Sequence, residues 1–262
     1  MHSRLGSLRV MLEVRALAEL ATFVTISPVL ARVLPRGVGR PVLVLPGFLA
    51  DDPSTKPMRV LLRSLGHDAH GWGLGRNIGP TDEILDGLMH LLEDHSSEGA
   101  SVDIVGWSLG GLYAREMARL APSAVRQVIT LGSPFQIVGE QDSTVGAAFN
   151  SFKKFHSDRV MIPRIPSWAR EPIPVSATSI YTRGDGIVRW DQCLNRDFPH
   201  TENVEVRGSH CGLGHNPAAI AVVADRLAQQ GSQWRPFKPP GALPLRALFP
   251  EAEVYDPSQH AA

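Results

Sequence analysis

The sequence predicts an α/β domain built on a mostly parallel sheet, with helices on both faces. Short apolar runs alternate with amphipathic stretches from about residue 40 to residue 230. Strands that alternate with helices at this spacing are typical of parallel sheets with right-handed crossovers. The chain has 262 residues, which is enough to bury a substantial core.

Six short runs are predicted to be strands: PVLVLPGF, HDAHGWGL, VDIVGW, VRQVITLG, VSATSIYTR and NVEVRG. Apolar runs of this length, bounded by glycine and proline, indicate buried strands. Helices are predicted between them, and the clearest is TDEILDGLMHLLEDH, with Thr81 as its N-cap. Five apolar residues share one face of that helix, as expected for an amphipathic helix on a sheet: Ile84, Leu85, Leu88, Leu91 and Leu92.

The chain is predicted to have three parts. Residues 1–39 form an N-terminal helical segment packed on the body, residues 40–231 form the α/β domain, and residues 232–262 form a proline-rich tail. Within the body, residues 136–175 are too long for an ordinary connection and are predicted to be a cap or lid insertion. A plain surface excursion remains the alternative for this insertion.

Composition excludes several classes of protein. Lys plus Arg (26) equals Asp plus Glu (26), so the chain lacks the basic footprint of a nucleic-acid binder. The first twenty residues have no uninterrupted apolar core of the kind a secretory signal needs. Residues 16–34 are more apolar, but Glu19, Pro28 and Arg32 interrupt them, which favours a docked amphipathic segment over a membrane span.

A cytoplasmic location is therefore expected. Peripheral contact with a membrane surface is left open, and so is the oligomeric state. The histidines lack a metal-binding spacing such as HExxH, so neither a metal nor a cofactor is predicted.

Ser108 lies in GWSLG, where an apolar strand-like run ends and a helix-like run begins. Gly106 and Gly110 could serve a tight turn alone. They are also what a nucleophile elbow requires, because strand and helix must approach closely around the serine. Such a turn presents the hydroxyl at the carboxyl end of the sheet, where open α/β sheets bind ligands.

A serine hydroxyl becomes a good nucleophile when a base removes its proton. In this architecture the chain order is serine, then acid, then histidine. Asp185 follows a predicted strand in TRGDG, and His210 follows the last predicted strand in RGSHCG. We therefore predict that Ser108 is the nucleophile, His210 the base and Asp185 the carboxylate that orients the base.

Each partner has rivals. Asp185 could be a simple turn former, because Asp-Gly favours turns, and Asp191 is the nearest alternative acid. His215 lies at a predicted helix start, where capping or packing is expected. His200 precedes a strand and so belongs at the opposite edge of the sheet.

The oxyanion that forms on an attacked carbonyl needs hydrogen-bond donors, usually two backbone N–H groups. One donor is predicted to be the amide of Leu109, directly after Ser108. The other is predicted to be the amide of Phe48, in the loop after the first strand, where Gly47 allows a close approach.

The motifs LPGF, GWSLGG, TLGSPF, YTRGDGIV and GSHCGLGHNP resemble those of the α/β-hydrolase superfamily. They are most similar to small bacterial lipase- and esterase-like members related to PGAP1-like hydrolases. The resemblance covers about residues 40–230 and implies a minimal six-stranded core. It implies the same roles for Ser108, Asp185 and His210, with Leu109 and Phe48 as the oxyanion donors.

The expected function is hydrolysis of carboxylic esters through an acyl-enzyme, with a small-molecule ester or lipid as substrate. Aromatic residues are predicted to line or cover an apolar acyl pocket, although each of them could be ordinary core packing: Trp107, Phe149, Phe152, Phe155 and Trp168. An acyltransferase or thioesterase would use the same triad. A third alternative is a binding protein without activity on a hydrolase scaffold.

The two cysteines lie near the predicted acid and base. Cys211 adjoins His210, and Cys193 lies eight residues beyond Asp185. If the two loops meet, a disulfide could join them and stabilise the fold by about 3 kcal/mol. A reducing cytosol argues against the bridge, so the sequence leaves it open.

Overall fold

The computed structural model describes residues 15–96, 101–136, 153–157, 171–230, 234–240 and 245–250. Most of the predicted insertion at 136–175 lies outside these ranges. Three of the predicted pocket residues, Phe149, Phe152 and Trp168, also lie outside the described residues.

In the described part of the chain, six strands form one sheet in the order β2-β1-β3-β4-β5-β6. The strands are β1 Pro41–Leu45, β2 Asp68–His70, β3 Val102–Trp107, β4 Val125–Leu131, β5 Ser176–Tyr181 and β6 Thr201–Glu205. Every neighbouring pair is parallel, so the predicted parallel sheet is confirmed. The second strand is shorter than predicted because Gly73 and Gly75, which follow it, have positive φ angles of 66° and 74°.

Helices cover both faces of this sheet, as predicted. They are α1 Arg15–Val33, α2 Asp52–Ser64, α3 Asp82–His95, α4 Leu109–Leu120 and α5 Pro217–Ala228. Apolar side chains of α3 and α4 form one core cluster with β1, β3 and β4. Side chains of α1, α2 and α5 form a second cluster on the opposite face.

The start of α3 follows the predicted pattern. The Thr81 hydroxyl accepts a hydrogen bond from the Ile84 N–H at 3.3 Å, as an N-cap does. Ile84, Leu88 and Leu92 are buried on the inner face. Leu85 and Leu91 are only partly buried, because they lie at the sides of the apolar stripe.

Helix α1 packs one face against the body and exposes the other. Phe23 and Leu30, each 2% exposed, belong to the core cluster that α1 shares with α2 and α5. Leu17, Val24 and Val29 are exposed. Among the described residues, α1 is the helix whose length and composition would allow it to cross a membrane.

Short described pieces of the insertion and the tail pack against the domain. In the insertion, the Ser157 N–H donates to the Pro80 carbonyl at 2.7 Å, while Phe155 is largely exposed. In the tail, the ring of Phe249 is buried and contacts the ring of Phe237 at 5.4 Å between centroids. Leu245–Leu248 of the tail forms a 3-10 helix.

A buried ion pair joins β3 to β4 near the amino edge of the sheet. Arg126 donates from Nε to Asp103 Oδ1 at 2.7 Å and from Nη2 to Oδ2 at 2.6 Å. Arg126 also donates to the carbonyls of Leu227 and Gln229 at the end of α5. Burial raises the pKa of Asp103 above its ordinary value, and the Arg126 contacts partly offset this.

We expect Arg126→Met to lower the free energy of unfolding by about 3 kcal/mol, because it leaves the buried Asp103 carboxylate without its partner. Urea unfolding at pH 7 measures this loss. The double variant Asp103→Val/Arg126→Met should recover much of it, since no unpaired charge remains. A double variant less stable than Arg126→Met alone would contradict this account.

Candidate active site

Ser108 occupies a strained turn between β3 and α4. Its φ of 51° and ψ of −117° lie in a region that residues other than glycine rarely adopt. The turn is held because the Ser108 N–H donates to the Leu131 carbonyl at 2.8 Å and the Gly111 N–H donates to the Ser108 carbonyl at 3.0 Å. Trp107 and Leu109 are buried while Ser108 is half-buried, so the turn holds the serine towards solvent.

The glycines around Ser108 leave room for the close approach of strand and helix. A Cβ atom at Gly106 would lie 2.4 Å from Gly111 Cα, and one at Gly110 would lie 2.5 Å from the Leu45 carbonyl oxygen. Both distances are far too short for a side chain, and the obstructing atoms are backbone. Glycine is therefore required at both positions by the packing of β3, α4 and β1.

The three residues that the chain order predicted to meet do meet. His210 Nε2 lies 3.0 Å from Ser108 Oγ, and His210 Nδ1 lies 2.6 Å from Asp185 Oδ2. Because a carboxylate only accepts, His210 donates from Nδ1. The Nε2 atom of the neutral ring then carries the lone pair and can accept the Ser108 proton.

The Asp185 carboxylate is fixed by its own loop. Its Oδ1 accepts the N–H groups of Ile187 and Val188, both at 2.8 Å, which leaves Oδ2 for His210. Gly132, with a φ of 56°, lies beside this pair at the end of β4. A Cβ atom there would lie 3.2 Å from His210 Nδ1 and 3.4 Å from Asp185 Oδ2, so the glycine of TLGSPF also leaves space for the pair.

For Trp107 the sequence left two roles open, pocket lining and core packing. Its side chain packs in the core cluster that includes α1, α2 and α5. Its Nε1–H donates to the His210 carbonyl at 3.1 Å, and its ring meets the His215 ring edge-on at 5.4 Å. Trp107 is the last residue of β3 and its side chain is turned to the core, where it supports the loop of His210.

The rival residues have other partners. Asp191 forms an ion pair with the exposed Arg189 at 2.6 Å. His215 is buried against Trp107, and burial lowers the pKa of its ring. The His200 carbonyl accepts the N–H of Ala177, at the start of β5, which confirms that His200 lies at the opposite edge of the sheet.

The loop after β1 lies directly against Ser108. A Cβ atom at Gly47 would lie 3.3 Å from Ser108 Cβ, so this loop passes close to the serine. The predicted oxyanion residue Phe48 directly follows Gly47. The Ala50 N–H donates to the Gly47 carbonyl at 3.1 Å, which closes a turn around Phe48. Leu109 is the first residue of α4, where N–H groups have no intrahelical acceptor.

Asn77, which the sequence did not single out, fastens this loop. The Nδ2 atom of its fully buried side chain donates to the Pro46 carbonyl at 2.9 Å. The backbone carbonyl of Asn77 accepts the Leu49 N–H at 2.7 Å. Its Oδ1 accepts the Tyr113 hydroxyl of α4 at 3.2 Å. A single asparagine in GRNIGP carries no signal of this role, because its contacts with Pro46, Leu49 and Tyr113 join residues that are distant in the sequence.

Cys193 and Cys211 are not joined by a disulfide. Cys193 is fully buried, and this burial raises the pKa of its thiol well above the ordinary value. Cys211 is exposed. The bridge that the sequence left open is therefore not present, because the two side chains lie in different environments. Across the described ranges, no group of three His, Cys, Asp or Glu side chains could hold a metal ion.

The six-stranded parallel sheet with its helices has the α/β-hydrolase fold. Residues 70–168 match the family model described as "PGAP1-like alpha/beta domain". The predicted resemblance to PGAP1-like α/β-hydrolases is thereby confirmed. The match includes Ser108 and ends before Asp185 and His210. No curated protein matches the chain.

Solved structures of the same fold include several enzymes. The N-formylmaleamic acid deformylase from Pseudomonas putida S16 is 15% identical, with a TM-score of 0.52 over 73% of this chain and 94% of its own. Naproxen esterase from Bacillus subtilis is 13% identical, with a TM-score of 0.51 over 74% and 86%. The thioesterase domain from the curacin biosynthetic pathway is 13% identical, with a TM-score of 0.52 over 74% and 93%. At these identities the likeness establishes the shared fold.

We expect Gly106→Ala to lower the free energy of unfolding by about 3 kcal/mol, because the added Cβ collides with backbone atoms that cannot move independently. Gly47→Ala is the matched control. The nearest atom to its added Cβ is a side-chain carbon at 3.3 Å, so we expect a loss below about 1 kcal/mol. Thermal or urea unfolding of both variants measures the difference, and equal losses would contradict the packing argument.

Proposed function

We propose that the protein is a serine hydrolase that cleaves carboxylic esters through an acyl-enzyme intermediate. The observation that carries this proposal is the continuous hydrogen-bonded chain from Ser108 Oγ through His210 to Asp185, with distances of 3.0 and 2.6 Å. An ordinary tight turn would account for the glycines around Ser108. It would not account for a histidine oriented by a carboxylate beside the hydroxyl.

In the first half of the proposed reaction, Ser108 Oγ attacks the carbonyl carbon of the ester and its proton passes to His210 Nε2. The new O–C bond moves the carbonyl electron pair onto oxygen, where the N–H groups of Leu109 and Phe48 are the proposed donors. The C–O bond to the alcohol then breaks, and His210 returns the proton to the departing alcohol. Ser108 is left as an ester of the acyl group.

In the second half, a water molecule replaces the alcohol. His210 Nε2 takes a proton from the water as its oxygen attacks the acyl carbon, and then returns a proton to Ser108 Oγ as the acid leaves. Asp185 keeps its charge throughout and stabilises the imidazolium that forms twice in the cycle. Its two backbone donors, Ile187 and Val188, hold it in the orientation this requires.

We further propose that the acyl group is apolar. The support is the composition of the insertion, whose phenylalanines and tryptophan fall among residues 149–168. Five residues of the insertion, 153–157, are anchored beside α3: Ser157 Oγ donates to Asp82 Oδ1 at 2.6 Å, and His156 Nε2 contacts the Ile78 carbonyl at 2.9 Å. His156 and Ser157 therefore contact residues that are close in the chain to Asn77.

We expect Ser108→Ala to lower kcat for hydrolysis by about a millionfold, because the nucleophile of a triad acts as a unit with its base. A series of p-nitrophenyl esters of increasing chain length measures the activity and tests the apolar acyl preference. Asp185→Asn and His210→Gln should also lose activity by several orders of magnitude, whereas Asp191→Asn and His215→Gln should lose far less. Retention of most activity by Ser108→Ala would overturn the proposed function.

We expect Asn77→Ala to lower kcat about tenfold with little change in KM, because it frees the Pro46 carbonyl and loosens the loop that carries Phe48. Displacement of a donor weakens transition-state stabilisation less than its removal, which costs about a hundredfold or more. Tyr113→Phe is the milder companion, because it removes one of two donors to Asn77 Oδ1 and leaves the Gly79 N–H. Steady-state kinetics on a short ester distinguishes this effect from weaker substrate binding, which would raise KM alone.

A further inference from the structure

Helix α1 reaches the loops that carry both Asp185 and His210. Arg15 Nη2 donates to the Gly184 carbonyl at 3.1 Å and to the Gly208 carbonyl at 3.2 Å. Gly184 directly precedes Asp185, and Gly208 lies two residues before His210. One guanidinium group therefore bridges the loop that carries Asp185, here called the acid loop, and the loop that carries His210, here called the base loop.

Glu19, one turn further along α1, forms a second hydrogen bond with the base loop. Its Oε1 accepts the N–H of Ser209, the residue before His210, at 2.9 Å. Residues four apart lie on the same helix face, so Arg15 and Glu19 act side by side. The Glu19 carboxylate fills space that is free because residue 212 is glycine. A Cβ atom at Gly212 would lie 1.7 Å from Glu19 Oε2.

The two loops also touch each other at the point where α1 contacts them. A Cβ atom at Gly184 would lie 2.6 Å from the Gly208 carbonyl oxygen, so the loops are in backbone contact there. The Thr182 hydroxyl also donates to that carbonyl at 3.0 Å. Arg15 thus adds a second donor at the junction that sets the separation of Asp185 and His210.

The partial burial of the Glu19 carboxylate costs free energy. Burial raises the pKa of its carboxyl, and the contacts with Ser209 and the charge of Arg15 only partly offset this. A partly buried carboxylate is stable only where donors meet it. Phe23, four residues further on, is buried in the core and anchors this face of α1 against the body.

We propose that Arg15 and Glu19 are positioning residues, and that α1 clamps the acid and base loops so that Asp185 and His210 keep the geometry needed to activate Ser108. The proposal rests on the proposed function for its kinetic consequence. It makes the N-terminal helix part of the active-site framework, because the side chains of Arg15 and Glu19 bond to both loops. Loss of the clamp leaves Ser108 and the substrate site in place but lets the base drift.

The kinetic test compares Glu19→Ala and Arg15→Ala with the wild type. Both should lower kcat about 10- to 100-fold with KM changed less than about twofold, because a misplaced base slows chemistry without weakening ground-state binding. Glu19→Gln keeps an oxygen that accepts the Ser209 N–H and should restore kcat to within about threefold of the wild type. Wild-type kcat in Glu19→Ala would overturn the proposal.

A second variant identifies the contact responsible. Gly212→Ala should lower kcat like Glu19→Ala, because its Cβ displaces the carboxylate. In the double variant Gly212→Ala/Glu19→Ala the second substitution should add little, since both break the same contact. Multiplicative losses would mean that Gly212→Ala acts by another route, and would contradict the assigned role of Glu19.

A matched control and a direct spectroscopic measurement separate positioning from stability and from the proposed function. Thr22→Ala, on the exposed side of α1, should leave kcat unchanged. In proton NMR spectra, the far-downfield signal of His210 Nδ1–H, bonded to Asp185, should broaden or shift in Glu19→Ala and persist in Glu19→Gln and Thr22→Ala. This signal needs no turnover, so the clamp is tested even if the ester-hydrolase function fails. An unchanged signal in Glu19→Ala would refute it.

Discussion

The backbone of Ser108 turns at a φ of 51° between β3 and α4, and the rest of the site is arranged around this strained turn. Strain of this kind, about 1 to 3 kcal/mol, persists only where the surroundings leave no alternative. Here β3 and β1 approach the first turn of α4 so closely that Gly106 and Gly110 cannot carry a side chain. The hydrogen bond from Ser108 to Leu131 anchors the turn to β4. The turn is thus a consequence of sheet packing, and the exposed hydroxyl follows from it.

The parallel sheet accounts for the convergence of the other groups. The carboxyl ends of parallel strands lie at one edge, so the loops after β1, β3, β4, β5 and β6 meet there. Each loop contributes something different to the site. The β5 loop carries Asp185, the β6 loop carries His210, and the end of β4 contributes Gly132, whose missing side chain leaves room for both. Asn77 and helix α1, which lie outside these loops, add further hydrogen bonds to them.

How far the site could be predicted depends on how local each signal is. The N-cap Thr81, the apolar face of α3 and the strand-turn-helix at Ser108 are short-range patterns, and the structure has all three. Asp185 and Asp191 could not be separated by spacing alone, since both follow β5 within a few residues. The Oδ1 bonds of Asp185 to its own loop, and the Arg189 contact of Asp191, depend on loop conformation. The role of Trp107 was left open between pocket lining and core packing for a similar reason, because sequence position does not tell which face of the sheet a strand-end side chain joins.

The sequence by itself determined the parallel α/β architecture, the position of the turn at Ser108 and the order of the serine, acid and histidine. These follow from periodicity, glycine placement and chain order, which act over a few residues or set the topology directly. Only the tertiary structure decided that Asp185 and His210 stand within hydrogen-bonding distance, that Cys193 and Cys211 stay apart, and that Arg15 and Glu19 reach the same loops from residues far away in the chain. Such contacts are sensitive to shifts of a few tenths of an ångström between distant segments, and the positions of these segments are set by how helices and loops pack on the finished sheet.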